Sequence, residues 1–549
     1  MTLGCPPPGA GLHDENEDPS EQAGHETAPQ VVVRRRRPRR PPPKRLRDYP
    51  DKKAGDFDEG RLPHMAGVTD QQWFRRPDMG GSDLPSRPGL SHQQALERIW
   101  SELADATELG PTEVCWLVDV SPSASGWHPQ LIESIAGYYG QLASQRPQVA
   151  KNLVTRIGVF SESFDWLTAE PKGEAGEVAK LWQSLPQQPS NRENVFAAVE
   201  AAIEPLRTSR LKQRKEVLIV IITDEAGNDG DRLLKVLPSL KKYGIPVYTI
   251  GLPAPFGRRT VVWQNTEGGE MRVPLPSKKA VIVHGPETIG LERIHLMFSD
   301  EESTLDQIDS GFGPYALEQL CFETGGRFLG VELKVGHGTS GERGWPDYGV
   351  LRFDPAVMKK YRPKLQSRQA YQEFLKKYRC CQALAQAAKI APIPVLMHPQ
   401  LTFEKGDAPR LKTSVDAAQQ AAAKVELEIN RAYELLKQGL ADRKKLTDRR
   451  WCASYDLAMG RIAAAKARVD GYNAMLAALK RGVPEKNKDA TLWVLEQAET
   501  TELTSSLRSL VKQAREHLER VIREHPGTPW EYLAKEELKT PLGWKWTEQ

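Results

Sequence analysis

The sequence predicts an α/β fold, a doubly wound and mostly parallel sheet, set between a disordered N-terminal tail and an α-helical C-terminal domain. Three observations predict it. From about Leu90 onward, short apolar runs alternate with segments of helical apolar spacing, the order expected of a sheet with helices on both faces. Val217-Leu218-Ile219-Val220-Ile221-Ile222 is an unbroken apolar run, as a central parallel strand covered on both sides requires. Beyond about residue 411, helical spacing is all that is read.

The tail, residues 1–89, has no apolar period. Its acidic, Pro-containing opening gives way to a basic run in which Arg34, Arg35, Arg36, Arg37, Arg39 and Arg40 are interrupted only by Pro38 and followed by Pro41-Pro42-Pro43-Lys44-Arg45-Leu46-Arg47. Such a run holds anionic polymers or surfaces through counterion release, or serves as a self-repelling linker stiffened by proline. The α/β domain, residues 90–335, opens with an amphipathic helix from Ser91 to Leu103 and a buried strand, Val114-Cys115-Trp116-Leu117-Val118. A helix on Leu131, Ile135, Tyr138 and Leu142 follows, then a strand from Leu153 to Phe160 and a helix face of Val195, Val199, Ala202 and Leu206. After the apolar run come a helix over 231–243 and a strand from Ile245 to Ile250.

Residues 253–312 break the alternation with Gly, Pro and short strand candidates at 260–263 and 280–283, and read as an insertion. The pattern resumes with a helix from Tyr315 to Thr324, a Gly325-Gly326 stop and a strand from Arg327 to Val331. A Gly-rich stretch at 336–349 begins a linker with a helical segment that runs to about 410. In the last domain, residues 411–549, three faces predict an antiparallel bundle: Val425, Ile429, Ala432, Leu436 and Leu440; Tyr455, Met459, Ile462, Val469, Tyr472, Leu476 and Leu479; Leu503, Leu507, Leu510, Ala514, Leu518 and Val521. Ala514 to Trp530 resembles the second helix and turn of a tetratricopeptide repeat, although regular copies are not found. Trp544-x-Trp546 is the expected packing anchor of the bundle.

At about 150 residues per domain, 549 residues make roughly three or four units. The chain is 27% charged and 39% hydrophobic with 41 prolines, which agrees with a part that does not pack. Lys and Arg number 76 against 72 Asp and Glu, a formal charge of +4 that excludes a whole-molecule footprint for nucleic acid. Six cysteines without CxxC or Cys/His spacing exclude a disulfide framework and a thiolate zinc site. No stretch approaches the roughly 18 apolar residues of a membrane span, and the start lacks the regions of a secretory signal, so the chain as written is expected in the cytoplasm. Thr2-Leu3-Gly4-Cys5 is faintly similar to the end of a bacterial lipoprotein signal, and a different true start would point to export.

The chemistry sits where strands end. Asp119-Val120-Ser121-Pro122-Ser123 directly follows a buried strand, at the carboxyl edge where doubly wound sheets bind ligands. The apolar run ends in Thr223-Asp224-Glu225, so adjacency of the two strands brings Asp119 and Asp224 to one point. Two carboxylates and two hydroxyls, with room left for water, suit octahedral Mg²⁺ (or Mn²⁺) better than a Ca²⁺ cage or a zinc site. Alone, the triplet also reads as a helix cap and turn; its pairing with Asp224 favours the metal. The acidic run at 224–229 reads as a solvated turn beside the site.

These strand ends, taken in order with Glu323-Thr324-Gly325-Gly326-Arg327, resemble a von Willebrand factor A-type domain over about Glu113 to Val331. The resemblance implies a metal-ion-dependent adhesion site. In it Asp119, Ser121 and Ser123 ligate the ion, Asp224 binds through water, and an acidic side chain of a protein partner completes the shell. The sequence departs from the family at the remaining ligand, a Thr in a Gly-Gly-Thr-like loop. Here Ser190-Asn191-Arg192-Glu193-Asn194-Val195-Phe196 offers Glu193 or Asn194 as a substitute oxygen, and Asn194 also reads as the cap of the helix beginning at Val195. A third carboxylate at Glu193 would hold the cation more tightly and leave it less electrophilic toward an acidic partner. The wider set of motifs, including Phe256-Gly257-Arg258, Gly311-Phe312-Gly313-Pro314-Tyr315 and His525-Pro526-Gly527, is similar to large bacterial proteins of planctomycete type that carry this domain.

Phosphate-loop, HExxH and GxSxG signatures are absent, so an enzyme is not expected. His128 and His284 read as structural. The expected function is metal-dependent protein–protein interaction, with adhesion or scaffolding as its outcome. The alternative is nucleic-acid or anionic-surface association through the basic tail.

Overall fold

Ser91 opens the folded part of the chain by a capping box: its side chain accepts from the Gln94 N–H, and the Gln94 side chain takes the Ser91 N–H. The computed structural model describes residues 90–549 except 125–127, 189, 191, 265–278, 284, 298–307, 332–351, 391, 397–398 and 500–503. The tail with its arginine run, and the Gly-rich stretch at 336–349, lie outside the described residues.

The α/β part runs through α1 (His92–Leu109), β1 (Thr112–Asp119), α2 (His128–Gln145), α3 (Pro147–Asn152), β2 (Leu153–Phe160), β3 (Phe164–Trp166), α4 (Ala175–Gln183), α5 (Val195–Lys212), β4 (Glu216–Thr223), α6 (Leu233–Tyr243) and β5 (Val247–Gly251). The insertion contributes β6 (Thr260–Gln264), β7 (Lys279–Val283) and β8 (Leu296–Met297), after which α7 (Tyr315–Glu323) and β9 (Phe328–Gly330) complete the unit. The main sheet has the order β3-β2-β1-β4-β5-β9 and is parallel except for the edge strand β3. The doubly wound sheet is therefore present.

Alternation of side chains along β1 divides the core into two layers. Val114, Trp116 and Val118 face α1, α2 and α4, where Trp100, Ile135, Tyr139 and Trp182 are buried. Cys115 and Leu117 face α5, α6 and α7, where Val199, Val236 and Leu320 are buried. The short elements β3, α3 and α4 are not legible as apolar periods, because α4 buries only Val178 and Trp182, and α3 buries nothing.

The insertion docks on the helical region. Phe256, Ile308 and Phe312 share a core with Tyr361, Leu457, Leu518 and Trp530, and the Phe256 and Trp530 rings meet edge to face at 4.7 Å. Arg450, 4% exposed, bonds both Glu287 and Glu292 of the insertion. That region contains α8 (Pro355–Met358), α9 (Arg368–Lys377), α10 (Arg379–Ala387), β10 (Ile393–Pro394), β11 (Thr402–Glu404), α11 (Ala408–Lys437), α12 (Arg449–Arg481), β12 (Leu492–Ala498), α13 (Ser505–Glu524), α14 (Pro529–Lys539) and β13 (Gly543–Glu548). Helix α12 is buried on all its faces, the pattern of a central helix.

The C-terminal region is helical as expected, and it also holds a small sheet. Strands β12 and β13 of the last domain join β11, which precedes it, in a three-stranded antiparallel sheet of order β11-β12-β13. Its strands are short and half-buried, so they lack a long apolar run. The period-two placing of Trp493 with Leu495, and of Trp544 with Trp546, is the signal that marks them. Trp544 is the anchor expected of it: buried against Tyr472, it donates its indole N–H to the Arg468 carbonyl at 2.8 Å. The five described cysteines are free and buried. No helix among the described residues is long and apolar enough to cross a membrane.

Candidate metal centre

From β1 the chain goes to β2 on one side and later to β4 on the other, so the sheet's topological switch point lies between β1 and β4. The register pairs Val118 with Ile222, which sets Asp119, the last residue of β1, beside Thr223, the last of β4. Thr223 Oγ1 donates to Asp119 Oδ2 at 2.9 Å, and the Ser121 N–H donates to Asp119 Oδ1 at 2.9 Å. Glu193 reaches the same point from the loop before α5. Its Oε1 accepts from Ser121 Oγ at 3.0 Å and from Ser123 Oγ at 3.1 Å. One carboxylate oxygen from each of Asp119, Glu193 and Asp224 lies within 4.8 Å of the others.

The cluster is sealed: Asp119 and Glu193 are 0% exposed, Ser121 and Asp224 1%, and only Ser123 is half-buried. Among the described residues neither oxygen of Asp224 has a partner in good hydrogen-bond geometry, although the nearby Ser123 hydroxyl lowers its pKa. An ionised carboxylate in that position is costly unless something pairs with it. Burial raises the Asp119 carboxyl, against the lowering effect of its hydrogen bonds. Burial, then the charges of Asp119, Asp224 and Glu225, hold Glu193 well above the usual carboxylate range. Burial, then Asp119 and Glu225, do the same to Asp224. Burial and Asp119 push Glu225 up to about 8. Among the described residues, no lysine or arginine is among the leading causes of these shifts. The group therefore carries negative charge that only protons or a cation can compensate. Its donors are all hard oxygens, a set that fits Mg²⁺ or Mn²⁺ and excludes a thiolate-type zinc site.

The loop after β4 fixes Glu193. The Glu193 N–H donates to Asn228 Oδ1 at 2.7 Å, and the Asn228 N–H returns a bond to the Glu193 carbonyl at 2.7 Å. Gly227 makes the bend possible with φ +81°, and a Cβ there would meet Val195 Cγ2 at 2.9 Å. Ala226 is tied to β7 through its N–H, which donates to the Val283 carbonyl at 2.9 Å.

Two expectations change here. The acidic run is not a solvated turn, because Glu225 is 6% and Asp229 8% exposed. Asn194 occupies the N-cap position of α5 but makes no capping bond; its amide donates to the Glu162 carbonyl. The capping acceptor is Asp229, which takes the N–H groups of Phe196 and Ala197 at 3.1 and 2.7 Å. The structure thus brings Asp119, Ser121, Ser123, Glu193 and Asp224 together. The roles of Thr223, Asn228 and Asp229 escaped sequence reasoning; their only signal is a polar cluster immediately after an apolar strand. Arg34, Arg35, Arg36, Arg37, Arg39, Arg40 and His284 lie outside the described residues, as does the side chain of His128.

Residues 113–268 match the family model of the von Willebrand factor type A domain, and this part of the chain is such a domain. Among solved structures, the chain is similar to an aerotolerance-related membrane protein from Bacteroides fragilis, at 16% identity over 40% of this chain and 92% of that one, with a TM-score of 0.26. It is similar to the conserved hypothetical protein BatB from Bacteroides thetaiotaomicron, at 15% identity over 40% and 90%, with a TM-score of 0.27. A third is proximal thread matrix protein 1 from the mussel byssus, at 12% identity over 26% and 36%, with a TM-score of 0.20. No curated protein matches the chain.

Proposed function

With a von Willebrand factor type A domain as the premise, we propose that the protein is a cation-dependent protein-interaction module. Asp119, Ser121, Ser123, Glu193 and Asp224 hold one Mg²⁺ or Mn²⁺ at the switch point of the sheet. The observation that carries this reading is the Asp224 carboxylate, buried, without a partner in good hydrogen-bond geometry among the described residues and sharing a point with two other carboxylates. When bound, the ion supplies the positive charge that joins the ends of β1 and β4 to the loop before α5. The role is binding and scaffolding, with the helical region as a second surface.

The test is titration calorimetry of the full chain with Mg²⁺ and with Mn²⁺. Saturable binding by the wild type and none by Asp119→Ala is expected. A variant that binds as the wild type does, or a wild type that binds neither ion, contradicts the reading.

A further inference from the structure

We infer that Glu193 fills the place in the cation's shell that an acidic side chain of a partner would otherwise take, so that the site is closed within this chain and a partner docks without ligating the ion. The inference rests on the cation reading above and deepens it.

Access supports it first. Ser123 is the only member of the donor set that solvent reaches, and its hydroxyl already donates to Glu193 Oε1, which also accepts from Ser121. A carboxylate arriving from outside would have to displace Glu193 to reach the ion. Charge supports it next. Asp119, Glu193 and Asp224 place three negative charges around one point, so a divalent ion leaves the site net negative before any outside group arrives. An acidic ligand would then be repelled, whereas a shell completed by water would not.

The position of Glu193 is also built, not incidental. Both of its backbone polar groups are bonded to Asn228. The loop that carries Asn228 is fixed at one end by Ala226 on β7 and at the other by Asp229 on the first turn of α5. Shifting the Glu193 backbone would break these bonds together, and turning its side chain aside would cost the bonds from Ser121 and Ser123. The consequence is that cation affinity belongs to this chain alone, and that the ion staples the loop before α5 to the ends of β1 and β4.

The experiment is Mn²⁺ binding to the full chain, read as loss of the free-ion electron paramagnetic resonance signal, in chloride and in acetate at equal ionic strength. Acetate stands in for an acidic side chain. The wild type is expected to bind one Mn²⁺ with the same affinity in both buffers. Glu193→Gln should weaken binding by about tenfold or more. Glu193→Ser, which opens the position, should bind weakly in chloride and regain affinity in acetate. Asn228→Ala leaves every donor in place and guards against a ligand variant that fails to fold; binding that weakens and is partly restored by acetate is expected. Glu193→Gln or Asn228→Ala binding as the wild type does, or wild-type affinity rising in acetate as that of Glu193→Ser does, overturns the inference. If Asp224→Asn loses the ion while Glu193→Gln keeps it, only the role of Glu193 fails. If the wild type binds no Mn²⁺, the cation reading fails and takes this inference with it.

Discussion

Glu537 on α14 is 5% exposed and bonded by two arginines, Arg461 and Arg468, whereas Asp224 beyond the end of β4 is 1% exposed and has no basic partner among the described residues. Asp456 on α12 follows Glu537: fully buried, it is met by Arg443 Nε at 2.9 Å, His517 Nδ1 at 2.9 Å and Arg520 Nη1 at 3.0 Å. Burial would raise all of these carboxyls. In the helical region Arg468 and Arg461 outweigh it at Glu537, and His517 and Arg443 outweigh it at Asp456, so both stay below the usual carboxylate range. At the strand ends burial and mutual repulsion act in the same direction. One region contains its own counter-charge and is complete as a fold. The other has no basic counter-charge among the described residues, which is why the same residue type is architecture in one place and a candidate site in the other.

The largest expected effect comes from breaking the self-contained region. Glu537→Ala removes the buried carboxylate that both Arg461 and Arg468 bond and should cost about 3–5 kcal/mol in denaturant unfolding, equally with Mg²⁺ and with chelator. A loss that Mg²⁺ repairs would contradict the separation of the two regions.

Asp224→Asn should behave in the opposite way. In chelator it removes a like charge and keeps the shape, so its melting temperature should match or exceed that of the wild type. Mg²⁺ should then add nothing to the variant, while adding about 2.7 kcal/mol to the wild type at a hundredfold excess over Kd. A variant destabilised in chelator would show that Asp224 has a structural partner after all.

The third effect is on pH. The strand-end carboxyls are raised above their unfolded values, so the folded state binds more protons and stability falls as pH rises. Unfolded carboxyls titrate near about 4, and Glu225 is pushed up to about 8. In chelator the melting temperature should therefore decline between those limits, and saturating Mg²⁺ should flatten the decline. A stability that rises with pH in chelator would contradict this account of the cluster.

Most of the sheet was legible because burial on both faces leaves a mark in one strand alone: Val217 to Ile222 could be little else. Asp119 and Asp224 were legible for a related reason, since a polar residue ending such a strand stands at the edge of the sheet. Glu193 was harder, because its neighbour Asn194 offered an equally plausible oxygen; what separates them is the reciprocal bonding to Asn228, some 35 residues away in the chain. Asp229 was hidden likewise, as an acidic residue in a polar run looks solvated until α5 is placed against it. The C-terminal sheet is hidden because Trp544-x-Trp546 also reads as a packing anchor of a helical bundle, and strand pairing across some 50 residues leaves no local period.

The central claim is that the strand-end cluster is a cation site completed from within this chain. Anomalous diffraction at the manganese edge, from crystals of the full chain grown with Mn²⁺, tests it most directly. A single peak in coordinating contact with Asp119, Glu193 and Asp224, with no oxygen from a neighbouring protein in its shell, is the result predicted. A cluster without a peak, its carboxyls hydrogen-bonded to one another, would contradict it.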